Sequence, residues 1–327
     1  MEILVLTAAE VRQAIRMQAA INIMKTAFRD LSTGIAHAPL RSNTSIDGSN
    51  GKVLLMPAIT NSDLAIKVVS IFEDNPSRKL PLIHAMIIVL DIATGQPLAL
   101  LEGGSITAIR TGAASGAATD ILARDDAKSV AIIGSGVQAR TQLEAVCTVR
   151  NIEKVWIYSP NITHAENFAS EMSSKEVIPH MVNVVTSPME AVQGADIICT
   201  ATTSSTPVFD GATIKKGTHI NAIGSFTPEM QEVDSETIRK SLVVVDSRQS
   251  VLSESGDLII PIEANIVKEN HIHAELGEII SNKISGRTDK DQITYFKSCG
   301  VAVQDVAAAQ IVVEEAKRLG LGTVVSL

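Results

Sequence analysis

At 327 residues the chain exceeds what one hydrophobic core usually serves, so two domains are expected. Hydrophobic residues make up 45% and charged residues 20%, a globular balance with no apolar run long enough for a membrane-spanning helix. A formal net charge of -8 without a local basic patch argues against nucleic acid and anionic membrane as partners, and 3% aromatic content leaves little for base stacking, so small molecules are the expected partners.

The chain opens as a strand, and residues 8–33 carry helical periodicity. Thr7 offers a capping hydroxyl, and Glu10, three residues on, completes a capping box. The opening stretch has no basic region or small-residue cleavage site and turns polar at Glu10, Arg12 and Arg16, so no export signal is expected. Cys147, Cys199 and Cys299 match neither a metal site nor a disulfide framework, which points to a reducing compartment and a cytoplasmic protein. β-Rich runs follow at 53–56, 64–72, 85–91 and 97–102, with a turn at Thr94-Gly95, and predict a sheet of their own. A helix over 105–122 is rich in alanine and glycine, which lets a backbone or ligand come close.

Beyond Lys128 strands and helices alternate: strand 129–133, a helix from Val137, strand 154–158, helix 164–172, strand 182–185, a short helix 189–193, then strands 197–200, 219–222 and 242–246. Such alternation predicts a parallel sheet covered on both faces. The last helix, 303–318, follows this segment and can return to the first domain, making that domain discontinuous.

Val130-Ala131-Ile132-Ile133 is a fully apolar strand that runs into Gly134-Ser135-Gly136-Val137-Gln138-Ala139 and then a helix. An ordinary glycine turn can share these letters, but here strand, turn, helix and second strand all fit a dinucleotide fingerprint. Gly134 permits the tight turn, Gly136 lets a pyrophosphate approach the backbone, and Ala139 stands where helix and strand pack closely. The helix N-terminus supplies amides and positive dipole to the phosphates. The tip of the second strand, Tyr158-Ser159-Pro160-Asn161, lacks the Asp or Glu that usually meets an unphosphorylated ribose, while Ser159, Asn161 and Thr163 are possible donors to a 2′-phosphate. NADP is therefore expected ahead of NAD. Thr200, Ala201 and Thr202, just past an apolar strand, are expected to contact the cofactor through their backbone. The fold class expected is α/β: a Rossmann doubly wound parallel sheet domain over 121–302 and a discontinuous α+β domain from 1–120 and 303–327.

Three cations stand in apolar or small-residue surroundings: Arg41, Lys67 inside Ala65-Ile66-Lys67-Val68-Val69, and Arg110 inside Ala108-Ile109-Arg110-Thr111-Gly112. Each alone would be read as snorkelling or pairing with a nearby Glu73, Asp74 or Glu102. Together they suggest a site for a carboxylate, with arginine as a bidentate fork and Lys67 as a point charge.

These residues resemble the ornithine cyclodeaminase and mu-crystallin family over nearly the whole chain. The resemblance rests on Arg41, Met56-Pro57-Ala58, Lys67 with Phe72-Glu73-Asp74-Asn75, 107–113, 134–139, Asn221-Ala222-Ile223-Gly224 and 297–305. It implies an NAD(P)-dependent enzyme with a Rossmann domain and a substrate domain that forms a homodimer, and a small imino- or amino-acid substrate held through its carboxylate by Arg41, Lys67 and Arg110. It also puts Gly224, Ser225, Phe226 and Asp305 beside the cofactor, although Asp305 equally suits a helix N-terminal carboxylate. Where the family's cyclodeaminases carry an Asp implicated in catalysis, this chain has Phe226, and Leu54 stands at a second acidic position. Neither can hold the distal ammonium of ornithine. The favoured reading is reduction of a cyclic ketimine carboxylate such as pyrroline-2-carboxylate or piperideine-2-carboxylate, with Lys67, Thr111 through a water, or solvent as proton source and Arg110 orienting the substrate. Cyclodeamination, alanine-dehydrogenase-type amination and non-enzymatic NADPH binding are the alternatives. His271 and His273 show no ligand spacing, so no catalytic metal is expected.

Overall fold

Aliphatic alternation with turn residues between the runs builds the first sheet. The computed structural model describes residues 1–327 and divides into two compact units, Met1–Arg110 with Val301–Leu327, and Thr111–Gly300. The divisions fall at 110/111 and 300/301, where the sequence suggested 120/121 and 302/303.

The first unit starts with β1 (Glu2–Leu6), α1 (Ala8–Ala14) and α2 (Met17–Thr33). The single helix expected over 8–33 is broken, because Ile15 is extended and Arg16, also extended, is the N-cap of α2. Thr7 N donates to Glu10 Oε2 at 2.8 Å as the capping box requires. Next come β2 (Ser42–Ile46), β3 (Gly51–Ile59), β4 (Leu64–Phe72), β5 (Ile83–Leu90), β6 (Pro97–Glu102) and α3 (Gly103–Leu122), whose first eight residues belong to this unit.

The second unit continues with β7 (Ser129–Ile133), α4 (Val137–Val149), β8 (Lys154–Tyr158), α5 (Ile162–Met172), β9 (Val182–Val184), α6 (Pro188–Val192), β10 (Ile197–Thr200) and β11 (His219–Ala222). It closes with α7 (Ser235–Lys240), β12 (Leu242–Val245), α8 (Arg248–Glu254), α9 (Gly256–Glu263), β13 (Ile272–Glu275), α10 (Leu276–Ile280) and β14 (Thr294–Lys297). α11 (Ala302–Leu319) and β15 (Thr323–Ser326) return to the first unit.

The first sheet has the order β15-β1-β6-β5-β4-β3-β2, antiparallel except for β1 beside β6. One register row, Met56–Lys67–Ile87–Leu101, is buried. α11 packs on β3, β4 and β5, and on α1 and α2. Its first turn thereby meets the buried row. On the opposite face, Leu55–Val68–Met86, flanked in register by Ser42 and Glu102, and Pro57–Ile66–Ile88–Leu100 are apolar yet only partly covered or exposed.

The second sheet is parallel throughout, with the order β13-β12-β14-β11-β10-β7-β8-β9. Period-two alternation sends Val130 and Ile132 into one aliphatic core with Leu143 and Phe168, and Ala131 and Ile133 into another with Val192 and Ile238. Both faces are thus covered, which explains the uninterrupted apolar strands. Strand order reverses between β7 and β10, the switch point where such sheets open a crevice at their carboxyl ends.

Candidate functional site

The turn after β7 occupies that switch point. Gly134 has φ +103°, and a Cβ on it would come within 2.5 Å of Ala201 O, so both conformation and space demand glycine. Gly136, the N-cap of the 13-residue α4, has nothing within 4 Å of where a Cβ would stand. Gly136 and Val137 are exposed at the helix start, while Ala139 is fully buried beneath. Gln138 Oε1 is buried without a partner. Open space at Gly136 and the exposed N-terminus of α4 are what a dinucleotide pyrophosphate would meet, so the cradle fits NAD(P).

Arg140 was not anticipated. Its Nη1 donates to Ser135 O at 2.7 Å and Gly136 O at 3.0 Å, its Nε donates to Glu171 at 2.8 Å, and the guanidinium lies 5.4 Å over the Phe168 ring. It locks the glycine turn's shape. An arginine in the first turn of the fingerprint helix was the available signal. At the ribose tip, the Ser135 hydroxyl donates to Ser159 Oγ at 3.0 Å, and Asn161 caps α5 by accepting from His164 N at 3.3 Å. Ser159 and Asn161 act as acceptors in these bonds, which leave the Ser159 O–H and the Asn161 amide N–H uncommitted.

A second unanticipated residue, Glu232, laces the ends of β10 and β11. Its carboxylate accepts from Thr200 Oγ1 at 2.9 Å, Thr202 N at 2.6 Å and Gly224 N at 2.6 Å. The amides of Thr202 and Gly224 are thus engaged by Glu232, and the Ala201 N–H donates to Ile133 O. A Cβ on Gly224 would collide with Thr202 O and with the Glu232 carboxylate. Glu232 N in turn donates to Asp257 Oδ1 at 2.7 Å, and Asp257 Oδ2 takes Tyr295 Oη at 3.1 Å with Lys297 Nζ 3.3 Å away. Burial, and then the nearby Asp257, push the Glu232 carboxyl above its ordinary value. Ser225, also buried, donates to Met230 O, and Phe226 is 36% exposed in the following loop. Thr111 is buried, and its carbonyl accepts from Gln142 Nε2 at 3.3 Å.

In the first unit, Lys67 and Arg110 come together, but around a carboxylate from the far end of the chain. Lys67 Nζ lies 2.7 Å from Asp305 Oδ2 and Arg110 Nε 3.0 Å from Asp305 Oδ1, with relative exposures of 2%, 5% and 1%. Arg110 Nη1 also donates to Gln304 Oε1 at 2.6 Å. Asp305 is in the first turn of α11 and serves as counter-ion to both cations. The nearby acids proposed as partners do other work: Glu102 accepts from Gly104 N and Ser105 N at the start of α3, and Asp74 accepts from Asn50 Nδ2. Burial pushes the Lys67 ammonium down to about 8, with Asp305 opposing and Arg110 and Arg41 adding to the fall. Burial raises the Asp305 carboxyl, but Arg110 and Lys67 outweigh it and the net direction is down. Arg41 thus acts electrostatically on the same cluster. Leu54 is buried on β3. His271 and His273 bond the carbonyls of Ile238 and Ser285.

Residues 1–319 match the profile of the ornithine cyclodeaminase/mu-crystallin family. A Delta(1)-pyrroline-2-carboxylate reductase of Bacillus cereus is 41% identical over 322 residues, 98% of each chain. The solved structure of Thermococcus litoralis Delta(1)-pyrroline-2-carboxylate reductase, in complex with NADH and L-proline, superposes with a TM-score of 0.94 at 46% identity, covering 98% of this chain and 99% of that one. An archaeal alanine dehydrogenase dimer with bound NAD gives 0.93 at 34% identity, covering 100% of both chains.

Proposed function

Because the chain belongs to the ornithine cyclodeaminase/mu-crystallin family, we propose that it is an NAD(P)H-dependent reductase of a cyclic ketimine carboxylate, yielding the cyclic amino acid. The observation that carries this reading is the buried cluster of Lys67, Arg110 and Asp305. Two cations face one carboxylate there, and the surplus positive charge is costly to bury without an anion. A substrate carboxylate supplies it. When bound, the reduced dinucleotide supplies the hydride that adds to the C=N carbon.

Arg110 orients the substrate carboxylate with N–H donors not taken by Asp305 and Gln304. Lys67 adds a point charge, and with its ammonium held near pH 8 it is able to give a proton to the imine nitrogen at neutral pH. Asp305 keeps both cations in place. Arg41 completes the positive field, and Thr111, next to Arg110 along α3, is the alternative proton donor, through a water. Orientation of the acceptor carbon provides much of the acceleration. Gly134, Ser135, Gly136, Val137, Gln138 and Ala139 hold the dinucleotide, with Gly224, Ser225 and Phe226 at the end of β11.

NADPH is proposed ahead of NADH because no carboxylate stands at the β8 tip to repel a 2′-phosphate. A homodimer is proposed from the open apolar face of the first sheet, which a second copy of the chain would cover. Three cysteines, none of them in a disulfide, suit a reducing compartment, and the cytoplasm is the proposed location.

The test is dinucleotide oxidation with pyrroline-2-carboxylate and piperideine-2-carboxylate, using NADPH and NADH in parallel. Fast absorbance loss is expected. No loss there, but ammonia and proline formed from ornithine with NAD, would replace reduction with cyclodeamination; turnover only with pyruvate and ammonium would make the chain an alanine dehydrogenase.

A further inference from the structure

Gln304 is fully buried in the first turn of α11, next to Asp305 in sequence and bonded to Arg110. Its Oε1 accepts from Arg110 Nη1 at 2.6 Å, which fixes the amide's orientation and leaves Nε2 as its other end. That Nε2 is buried and has no hydrogen-bond partner. A buried N–H donor without an acceptor is costly. Asp305, the carboxylate of the cluster, is already engaged by Lys67 and Arg110. No acceptor on the chain meets Gln304 Nε2.

The charge balance points the same way. Lys67 and Arg110 carry two positive charges against the one negative charge of Asp305, and Arg41 adds to the same field. A neutral amide can hold the guanidinium without cancelling this surplus. A carboxylate of almost the same shape at position 304 would cancel it.

We infer that Gln304 is a specificity-determining residue of the substrate site: its Oε1 holds Arg110 in position while its Nε2–H donates to the carboxylate of the bound imino acid. This rests on the reading of the Lys67–Arg110 cluster as a carboxylate site, and not on the redox step. Gln304 therefore selects for an anionic ligand in two ways, by donating a hydrogen bond and by leaving the cationic surplus in place.

The test is calorimetric binding of pyrrole-2-carboxylate, a planar analogue that cannot be reduced, to the full chain and to the variants Gln304→Met and Gln304→Glu. NADH affinity and thermal melting serve as checks of folding. Loss of one hydrogen bond to a charged group predicts roughly tenfold or more weaker binding for Gln304→Met. For Gln304→Glu the loss should exceed about a hundredfold near neutral pH, because a buried charge is added against the ligand, and it should shrink as the introduced carboxyl is protonated on acidification. Unchanged affinity in both variants overturns the inference, and so does a Gln304→Glu variant that binds no more weakly than Gln304→Met. Should Gln304→Glu fail to fold, Gln304→Met alone decides. Analogue binding that depends on Gln304 in a protein that reduces no imino acid leaves the inference standing and removes the proposed reaction; a protein that does not bind the analogue at all removes the inference.

Discussion

Lys67 occupies a register row whose other members are Met56, Ile87 and Leu101, so its ammonium has no water to lean on. Burial drives its proton off and Asp305 holds it on; the balance falls at about 8. Activity that needs the ammonium should hold below that value and fall as pH rises through it, since deprotonation removes both the acid and the charge that attracts the substrate. Replacing Asp305 by Asn removes the largest influence keeping that proton on. The falling limb of the kcat/KM profile should then move to lower pH, and the melting temperature should drop, since breaking a buried pair costs about 3–5 kcal/mol. Asp305 itself is held below its ordinary value, so its contribution to stability is present at neutral pH and lost as pH falls through the depressed value. A limb that stays at pH 8 in Asp305→Asn would show that another group sets it. The two cations could be read from sequence because each interrupts an apolar run. Their counter-ion could not, since it lies 195 positions beyond Arg110 and only the packing of α11 on β4 brings it near.

At the scale of elements, the fingerprint is legible because β7, its turn and α4 are contiguous and each residue's duty is local. The rim opposite is assembled from β10, β11, α9 and β14, and Glu232 becomes meaningful only when those are together. β14 itself escapes periodicity: Thr-Tyr-Phe-Lys is buried throughout, with Lys297 and Tyr295 meeting Asp257 inside the unit. β2 and β15 escape for the opposite reason, being exposed edge strands whose ladders with β3 and β1 supply the structure. Glu232→Gln tests the rim. The new amide must place at least one N–H against a group that itself donates, and an unmet buried donor costs about 1–3 kcal/mol. A lower melting temperature is expected, with weaker NADH binding measured by fluorescence titration. Loss of stability with unchanged NADH affinity would make Glu232 a residue of the core alone.

For the whole molecule, the distribution of apolar surface is more telling than its amount. The first sheet is covered on the face that carries Lys67 by α1 and by α11 returning from the chain's end, with α2 packed on α11, while the opposite face leaves Leu55 at 45% and Met86 at 53% exposure in one register row with Val68 between them. A continuous apolar face on a sheet invites a partner, and a self-complementary patch closes a twofold dimer without leaving a further face to propagate. The protein should therefore sediment at twice the 34.7 kDa of one chain. Placing a second carboxylate beside Glu102 at the end of this row, by Met86→Glu, would leave an unpaired charge in the apolar interface, at a cost far above what a rim contact contributes. That variant is expected to sediment as a monomer at micromolar concentration while still binding NADH, because the dinucleotide cradle is built within the second unit on two cores of its own. A Met86→Glu protein that remains dimeric would move the interface away from this face; one that loses NADH binding together with the dimer would mean that the cradle depends on assembly.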